Sequence, residues 1–319
     1  MRHDARMRRL LAVAAVALGG AATLVFPALG AHPLVHPNVP TIGGCRVFPQ
    51  SNAWNKDISK ARVDPRSARW LQTLDGNLHP DFGSGKFGDY GIPYTVVPAT
   101  QPKVPITFTA YGDESDPGPY PIPATARVEG GSGSDGDRHV LVVQQGACKL
   151  YELFNAHRTT HGWAADAGAV FDLKSGRHRH PGWTSADAAG LPITPGLARP
   201  DEIRTGGIHH ALRFTVRRTQ KAYVAPASHI ASDDTNPNLP PMGMRVRLKA
   251  SFNTKPFHGQ ALAILRALKR YGMIVADNGS NWFISGTPDP RWSDDDLDQL
   301  KRVPGSAFEV VKAGPLHRG

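Results

Sequence analysis

Two cysteines, Cys45 and Cys148, constrain the fold of this chain more than any other feature of its sequence. They are its only cysteines. The N-terminus carries an export pattern, so both thiols are expected to reach an oxidising compartment, where a single pair forms a disulfide. The sequence therefore predicts a Cys45–Cys148 bond, which would close a loop of about a hundred residues and constrain the unfolded chain.

Residues 1–31 show the order of a secretory signal peptide. Four arginines precede an apolar run, and small residues follow it: Arg2, Arg6, Arg8 and Arg9, then residues 10–25, then Ala28, Gly30 and Ala31. A membrane anchor is the alternative, but Gly19, Gly20 and Pro27 interrupt the apolar stretch, which is short for a transmembrane helix. We therefore expect cleavage, no later membrane contact, and a secreted protein located outside the cell or in the cell envelope.

The chain is basic, with a formal net charge of +10. Cleavage after Ala31 would remove four arginines and Asp4 and leave +7. This balance favours an acidic surface or polymer as neighbour, although basic charge also arises from solubility alone. Lysine and arginine form no block of five or six, so nucleic acid is not a predicted partner.

Four regions follow from the distribution of proline and glycine. The signal peptide (1–31) precedes a Pro/Gly-rich linker (32–44), a single β-rich globular domain (45–312) and a C-terminal tail (313–319). The sequence does not predict the oligomeric state.

The pattern of the domain is typical of short strands separated by turns. Segments rich in β-branched and aromatic residues are predicted strands: 94–97, 106–111, 139–144, 149–155, 168–173, 209–216, 221–224 and 245–250. Two helices are predicted near the C-terminus, over 258–271 and after a Ser293 cap up to Pro304. We expect a mainly β (α+β) fold with peripheral helices and a β-sandwich or jelly-roll-like core.

The first candidate site lies in residues 150–163. Alternation along a strand places Tyr151 and Leu153 on one face and Glu152 and Phe154 on the other. Burial beside an aromatic ring would raise the carboxyl pKa of Glu152 and prepare it for general-acid catalysis; a solvated edge position is the alternative. His157 follows in a loop. Its spacing to His161 would place both rings on one helical face, but the residues that follow His157 favour helix poorly, so no metal is predicted.

The second candidate site lies in residues 180–216. This Pro/Gly-rich segment holds Trp183, Asp187, Asp201, Glu202, Arg204, His209, His210 and Arg213. Aromatic rings, carboxylates and arginine on one ordered loop are typical of a sugar-binding cleft, although a structural loop is equally consistent with the pattern. A strand would point His209 and His210 to opposite faces, so one of them at most serves a given cleft.

The third candidate site lies in residues 271–286. Two strand-like runs, 273–276 and 281–285, flank the tetrad Asp277-Asn278-Gly279-Ser280, and Asn-Gly favours a hairpin turn. Asp277 and Asn278 are therefore interpreted as structural. Trp282 is a candidate for ligand contact.

Four segments together resemble a recurring type of secreted bacterial protein. They are CRVFPQSNAWNKDIS, TSADAAGLPITPGL, GGIHHALRFTV and LKRYGMIVADNGSNWFISGTPDPRW. The resemblance covers most of residues 45–312 and implies export, but it implies no activity. The sequence contains no GxSxG, no P-loop, no GxGxxG after a strand and no HExxH, and it predicts no cofactor.

Two functions remain open. The first is a secreted carbohydrate-active enzyme, either a glycoside hydrolase or a polysaccharide lyase. Its catalytic candidates are Glu152, Asp187, Glu202, His157 and His210, and its substrate-binding candidates are Trp163, Trp183, Arg204 and Trp282. The second is a noncatalytic extracellular protein that binds polysaccharide, or another extracellular polymer, through aromatic rings and basic charge.

Overall fold

The computed structural model describes residues 39–88 and 90–318 of the chain. The predicted signal peptide and residues 32–38 of the predicted linker lie outside this part. Within it the fold is mainly β with few helices, which confirms the coarse fold class expected from the sequence. No helix among the described residues has the length and apolar character needed to cross a membrane.

Short strands make up most of the regular structure. In chain order they are β1 (Thr41–Ile42), β2 (Cys45–Arg46), β3 (His79–Asp81), β4 (Tyr94–Val97), β5 (Ile106–Phe108), β6 (Val140–Gln144), β7 (Lys149–Phe154), β8 (His157–Arg158), β9 (Trp163–Ala165), β10 (Ala167–Asp172), β11 (Leu212–Val216), β12 (Ala222–Tyr223), β13 (Arg245–Leu248), β14 (Met273–Asn278), β15 (Phe283–Ser285), β16 (Phe308–Val310) and β17 (His317–Arg318). The α-helices are α1 (Ser67–Leu71), α2 (Pro200–Arg204), α3 (Gly259–Arg270) and α4 (Asp294–Asp298). Short 3-10 helices span Gly112–Glu114, Thr194–Gly196, Gln299–Arg302 and Gly305–Ala307.

Two larger sheets carry the core. One has the strand order β10-β7-β6-β4, and the other is a mixed sheet with the order β16-β13-β14-β11-β15-β3. Smaller sheets pair β1 with β2, β12 with β17, and β5 with β9 and β8. The finer expectation of a β-sandwich or jelly-roll stays a prediction.

Strand alternation positions the side chains of β7 as the sequence predicts. Tyr151 and Leu153 pack into one apolar cluster, whereas Glu152 points to the opposite face and meets the segment at Ile193 and Thr194. The period of two along a strand therefore decides which side chains reach each face.

Helix α3 closes one side of the mixed sheet. Its Ala261, Ile264, Leu265 and Leu268 are buried in the same cluster as residues of β11, β13 and β14. The helix lies one residue inside the predicted bounds at each end. Ser293 caps α4 through its hydroxyl, which accepts from the Asp296 amide as predicted, although the α-helix ends at Asp298 and continues as a 3-10 turn.

The predicted hairpin around Asp277 is wrong. Strands β14 and β15 do not pair with each other, because β11 lies between them, parallel to β14 and antiparallel to β15. The turn segment instead bonds to β11: the amides of Gly279 and Trp282 donate to the carbonyls of Val216 and Thr215. The Asn-Gly signal thus marks a turn that crosses the end of a third strand.

The structure confirms the Cys45–Cys148 disulfide, which fits an exported chain. The two Cα atoms lie 5.4 Å apart, and the bond joins β2 to the turn before β7 across 103 residues of sequence. Two neighbouring predictions need correction. Residues 41–44, predicted as linker, belong to a hairpin with Gly43 and Gly44 at its turn, and the predicted tail supplies β17, which pairs with β12.

We predict that replacing both cysteines by alanine lowers the free energy of unfolding by about 2–4 kcal/mol, because the long loop is then free in the unfolded chain. Urea unfolding at neutral pH measures the change. An unaltered unfolding midpoint in the double variant would contradict this role of the bond.

Candidate functional site

A row of polar side chains crosses the mixed sheet, where its neighbours are apolar. Neighbouring strands carry Asp277 on β14, Arg213 on β11, Ser285 on β15 and Asp81 on β3. Ser285 pairs with Asp81 in register. We call these four residues the polar row. It places charged side chains on the central strands of this sheet.

Arg213 anchors the loop above the row through Asp187. Its Nη2 and Nε donate to the two carboxylate oxygens of Asp187 at 2.7 and 3.0 Å, and its Nη1 donates to the Ser285 hydroxyl at 2.6 Å. Both charged residues are buried. A bidentate pair of this kind fixes the geometry of the loop. The charge of Arg213 is neutralised by the Asp187 carboxylate.

A second ion pair, between buried His139 and half-buried Glu129, lies close to the first. The Nδ1 of His139 is 2.5 Å from the Glu129 carboxylate, and its Nε2 is 2.9 Å from the Ala186 carbonyl oxygen. Since both partners only accept, both ring nitrogens carry protons and the ring is an imidazolium. Burial acts to lower the pKa of His139, but Glu129 outweighs it and raises the value to about 9. The His139 imidazolium is therefore paired with the Glu129 carboxylate, as Arg213 is paired with Asp187.

Asp277 forms no ion pair with any lysine, arginine or histidine in the described part of the chain. Burial, followed by repulsion from Asp187, raises its carboxyl pKa to about 7, while Arg213 only partly opposes the shift. Within the described residues, the Asp277 carboxylate accepts one hydrogen bond, from the Asn278 amide at 2.7 Å. Both nearby cations already hold a carboxylate. Asp277 therefore exchanges a proton near neutral pH, which is the property required of a general acid or base.

Asp277 lines an open cleft of about 530 Å³. We call it the Asp277 cleft. The loops before and after the sheet strands form its walls: Tyr111, Asp137, Phe154, Ala167, Thr184, Ser185, Ala186, Ala188, His229, Ile230, Ala231, Ser232, Asp233 and Asn278. Two exposed carboxylates, Asp137 and Asp233, and the aromatic rings of Tyr111 and Phe154 share the space. The cleft is large enough for several sugar units of a polymer or for a small organic ligand.

Glu152 is the predicted general acid. Its carboxyl pKa is raised, as expected, but the carboxyl is not accessible to a ligand. Burial raises its pKa to about 7, although the amides of Thr194 and Ile193 favour the ionised form. The Thr194 hydroxyl also donates to the carboxylate, at 2.8 Å. Glu152 is 0% exposed and does not line the Asp277 cleft. These contacts favour a structural role, in which the carboxylate holds the 193–194 segment.

Glu202 and His210, two more predicted catalytic residues, form a buried group with Arg199. The Glu202 carboxylate binds Arg199 Nη2 and lies 3.1 Å from His210 Nε2. Burial acts to raise the pKa of Glu202, but Arg199 and then His210 lower it below its ordinary value. His210 Nδ1 faces the Ala211 carbonyl oxygen at 2.7 Å. No face of this group lines the Asp277 cleft.

The remaining predicted residues lie apart from the cleft. Trp282 is fully buried between Phe214 and Phe308, and Trp163 packs in the cluster beneath β9, so neither ring is accessible to a ligand. Trp183 is half-buried against Arg179 and His180. His157, on β8, is exposed and contacts Asn155, and Arg204 is exposed at the end of α2. Across residues 39–88 and 90–318, no three metal-binding side chains come together.

Of the predicted catalytic residues, only Asp187 belongs to the polar group around the cleft, and there it is bound by Arg213. The sequence interpretation missed Asp277, Glu129 and His139. One signal was present: Asp277 directly follows the apolar strand run 273–276, and a carboxylate at the end of a buried strand is difficult to solvate.

We predict that Glu129→Gln lowers the free energy of unfolding by about 3 kcal/mol at pH 7, because it leaves buried His139 without a counterion. His139 has a folded pKa of about 9 against an ordinary 6.5. The stability it contributes is therefore complete below pH 6.5 and is lost as the pH rises to about 9. Urea unfolding from pH 6 to 9 should show the gap between variant and native protein closing over that range.

The matched control is Asp289→Asn, which breaks the more exposed ion pair with Arg291. It should cost less than about 1 kcal/mol. A gap that stays constant from pH 6 to 9, or equal losses in the two variants, would contradict the buried imidazolium.

Comparison with known proteins adds no assignment. The chain matches no protein-family model, no curated protein and no solved structure.

Proposed function

We propose that this protein is a secreted carbohydrate-active enzyme that hydrolyses glycosidic bonds in the Asp277 cleft. The observation that carries the proposal is the carboxyl of Asp277, which has a pKa of about 7 and lines an open cleft. A carboxyl that holds its proton near neutral pH can donate it to the oxygen of a leaving sugar.

Burial is the main reason that the pKa of Asp277 is raised, and the nearby charge of Asp187 adds to the effect. Asp187 forms an ion pair with Arg213, and Glu129 forms one with His139, so both nearby cations already have a carboxylate partner. The negative charge of Asp187 disfavours a second anion beside it, and Arg213 only partly opposes this effect. Divergent pKa values among neighbouring carboxyl groups are the usual basis for separate acid and base roles.

The lining of the cleft suits a sugar chain. Tyr111, which is 44% exposed, offers an aromatic face for sugar C–H groups. Asp137 and Asp233 are exposed carboxylates of the same lining, and either can activate a water molecule opposite the acid. A protonated Asp277 favours hydrolysis over the lyase reaction, because a lyase needs a base to remove the sugar proton.

We predict that Asp277→Asn reduces kcat at least about 100-fold on a cleaved polysaccharide, since an amide cannot donate the proton. Activity of the native protein should fall as the pH rises through about 7, where Asp277 ionises. The purified protein is screened on neutral and acidic polysaccharides, with reducing ends and the absorbance of unsaturated products both recorded. New reducing ends without unsaturated products identify a hydrolase.

Asp135→Asn is the matched control, because Asp135 is exposed and lies outside the lining of the cleft. It should leave kcat unchanged. Cleavage that survives Asp277→Asn with an unaltered pH profile would refute the proposal.

A second candidate is noncatalytic polysaccharide binding. Phe87 and Tyr90 are 74% and 59% exposed and line another cavity of about 490 Å³. Exposed rings on one loop are typical of sugar-binding surfaces. Binding of a polysaccharide without any product in the same screen would favour this function.

A further inference from the structure

A second large cavity differs in charge from the Asp277 cleft and shares no lining residue with it. It has a volume of about 750 Å³ and lies between residues 53–61, the Ala225–Pro226 peptide, Arg245 of β13 and residues 311–314. Lys56, Lys60 and Lys312 are exposed at this cavity. We call it the basic pocket.

Arg245 brings a positive charge to the pocket without a carboxylate partner. Its guanidinium donates to the carbonyl oxygens of Tyr271, Ala53 and Lys56 at 2.5 to 3.0 Å. Carbonyl groups orient the guanidinium but do not neutralise it. Burial accordingly lowers the pKa of Arg245 to about 9, and Asp57 only partly restores it. A buried cation in this condition is stabilised by an anion placed beside it.

The lining offers little negative charge of its own. Asp57 is engaged with Arg270, whose Nε donates to its carboxylate at 2.8 Å, and with the amide and hydroxyl of Ser59. None of the three lysine ammonium groups forms an ion pair with the part of the chain that the structure describes. The pocket therefore combines one half-buried cation, which carbonyl groups hold in place, with three exposed cations at its rim.

We propose that the basic pocket binds an oxyanion group, a carboxylate or a phosphate, carried on a ligand of about sugar size. Arg245 supplies the inner positive field, and Lys56, Lys60 and Lys312 reach the oxyanion from the rim. The volume exceeds that of a bare ion and falls in the range of small-molecule sites. This site is independent of the proposed hydrolase, because binding here needs no residue of the Asp277 cleft.

Isothermal titration calorimetry at low salt tests the proposal with three probes: trigalacturonate, inorganic phosphate and neutral maltotriose. We expect at least one anionic probe to bind with a measurable Kd, which weakens as salt is added, and maltotriose to contribute no binding that depends on these lysines. Tighter binding of trigalacturonate assigns the pocket to a carboxylated sugar, and tighter binding of phosphate assigns it to a phosphate group.

The test variant is the triple change Lys56→Gln, Lys60→Gln and Lys312→Gln, which spares Arg245 and its structural carbonyl contacts. It should weaken anion binding by about tenfold or more. The control triple Lys103→Gln, Lys149→Gln and Lys255→Gln removes the same charge from exposed positions outside the pocket and should leave the Kd within about twofold. Equal weakening in both triples, or no binding of either anionic probe, would overturn the proposal. Hydrolysis in the Asp277 cleft is measured separately and does not enter this result.

Discussion

The ion pair between Arg213 and Asp187 determines the arrangement around the Asp277 cleft. Arg213 lies on a central strand of the mixed sheet, where an unpaired charge would be strongly destabilising. Its bidentate contact draws the 184–191 loop onto the sheet and leaves that loop as one wall of the cleft. The pair thus connects the requirements of folding to the shape of the candidate site.

The same pair also sets the electrostatics of the site. Arg213 forms an ion pair with Asp187, and the His139 imidazolium forms one with Glu129. Both nearby cations therefore already have a carboxylate partner other than Asp277. Burial and the charge of Asp187 therefore raise the pKa of Asp277 to about 7, and Arg213 only partly opposes them. Burial alone does not distinguish a functional group: Glu152 has a similarly raised pKa, but it is enclosed by donors from the 193–194 segment and has no access to a ligand.

Local patterns in the sequence predicted local structure well. Strands β4, β7 and β13 begin at the predicted residues, α3 lies within the predicted bounds, and the pairing of Cys45 with Cys148 follows from cysteine count and export. The errors involve contacts between distant segments. The Asn-Gly turn was interpreted as a hairpin because the local sequence does not indicate that a distant strand, β11, lies between the two flanking strands.

The candidate site was only partly predictable for the same reason. Asp187 and Arg213 were both noticed in the 180–216 segment, but their pairing depends on how the loop folds back onto the sheet. Glu129 and His139 come from a different part of the chain, and His139 meets that loop at the Ala186 carbonyl oxygen. A pKa is set by such neighbours in space, so Asp277 looked like an ordinary turn residue in the sequence.

The central claim is that the charge pairing around Arg213 leaves Asp277 as a carboxyl that titrates near neutral pH. A carbon-13 NMR titration of the aspartate side-chain carboxyl groups measures this directly, with the Asp277 resonance assigned by its loss in the Asp277→Asn protein. A midpoint near pH 7 is the predicted result. A midpoint close to 4, the ordinary range of an aspartate, would contradict the account.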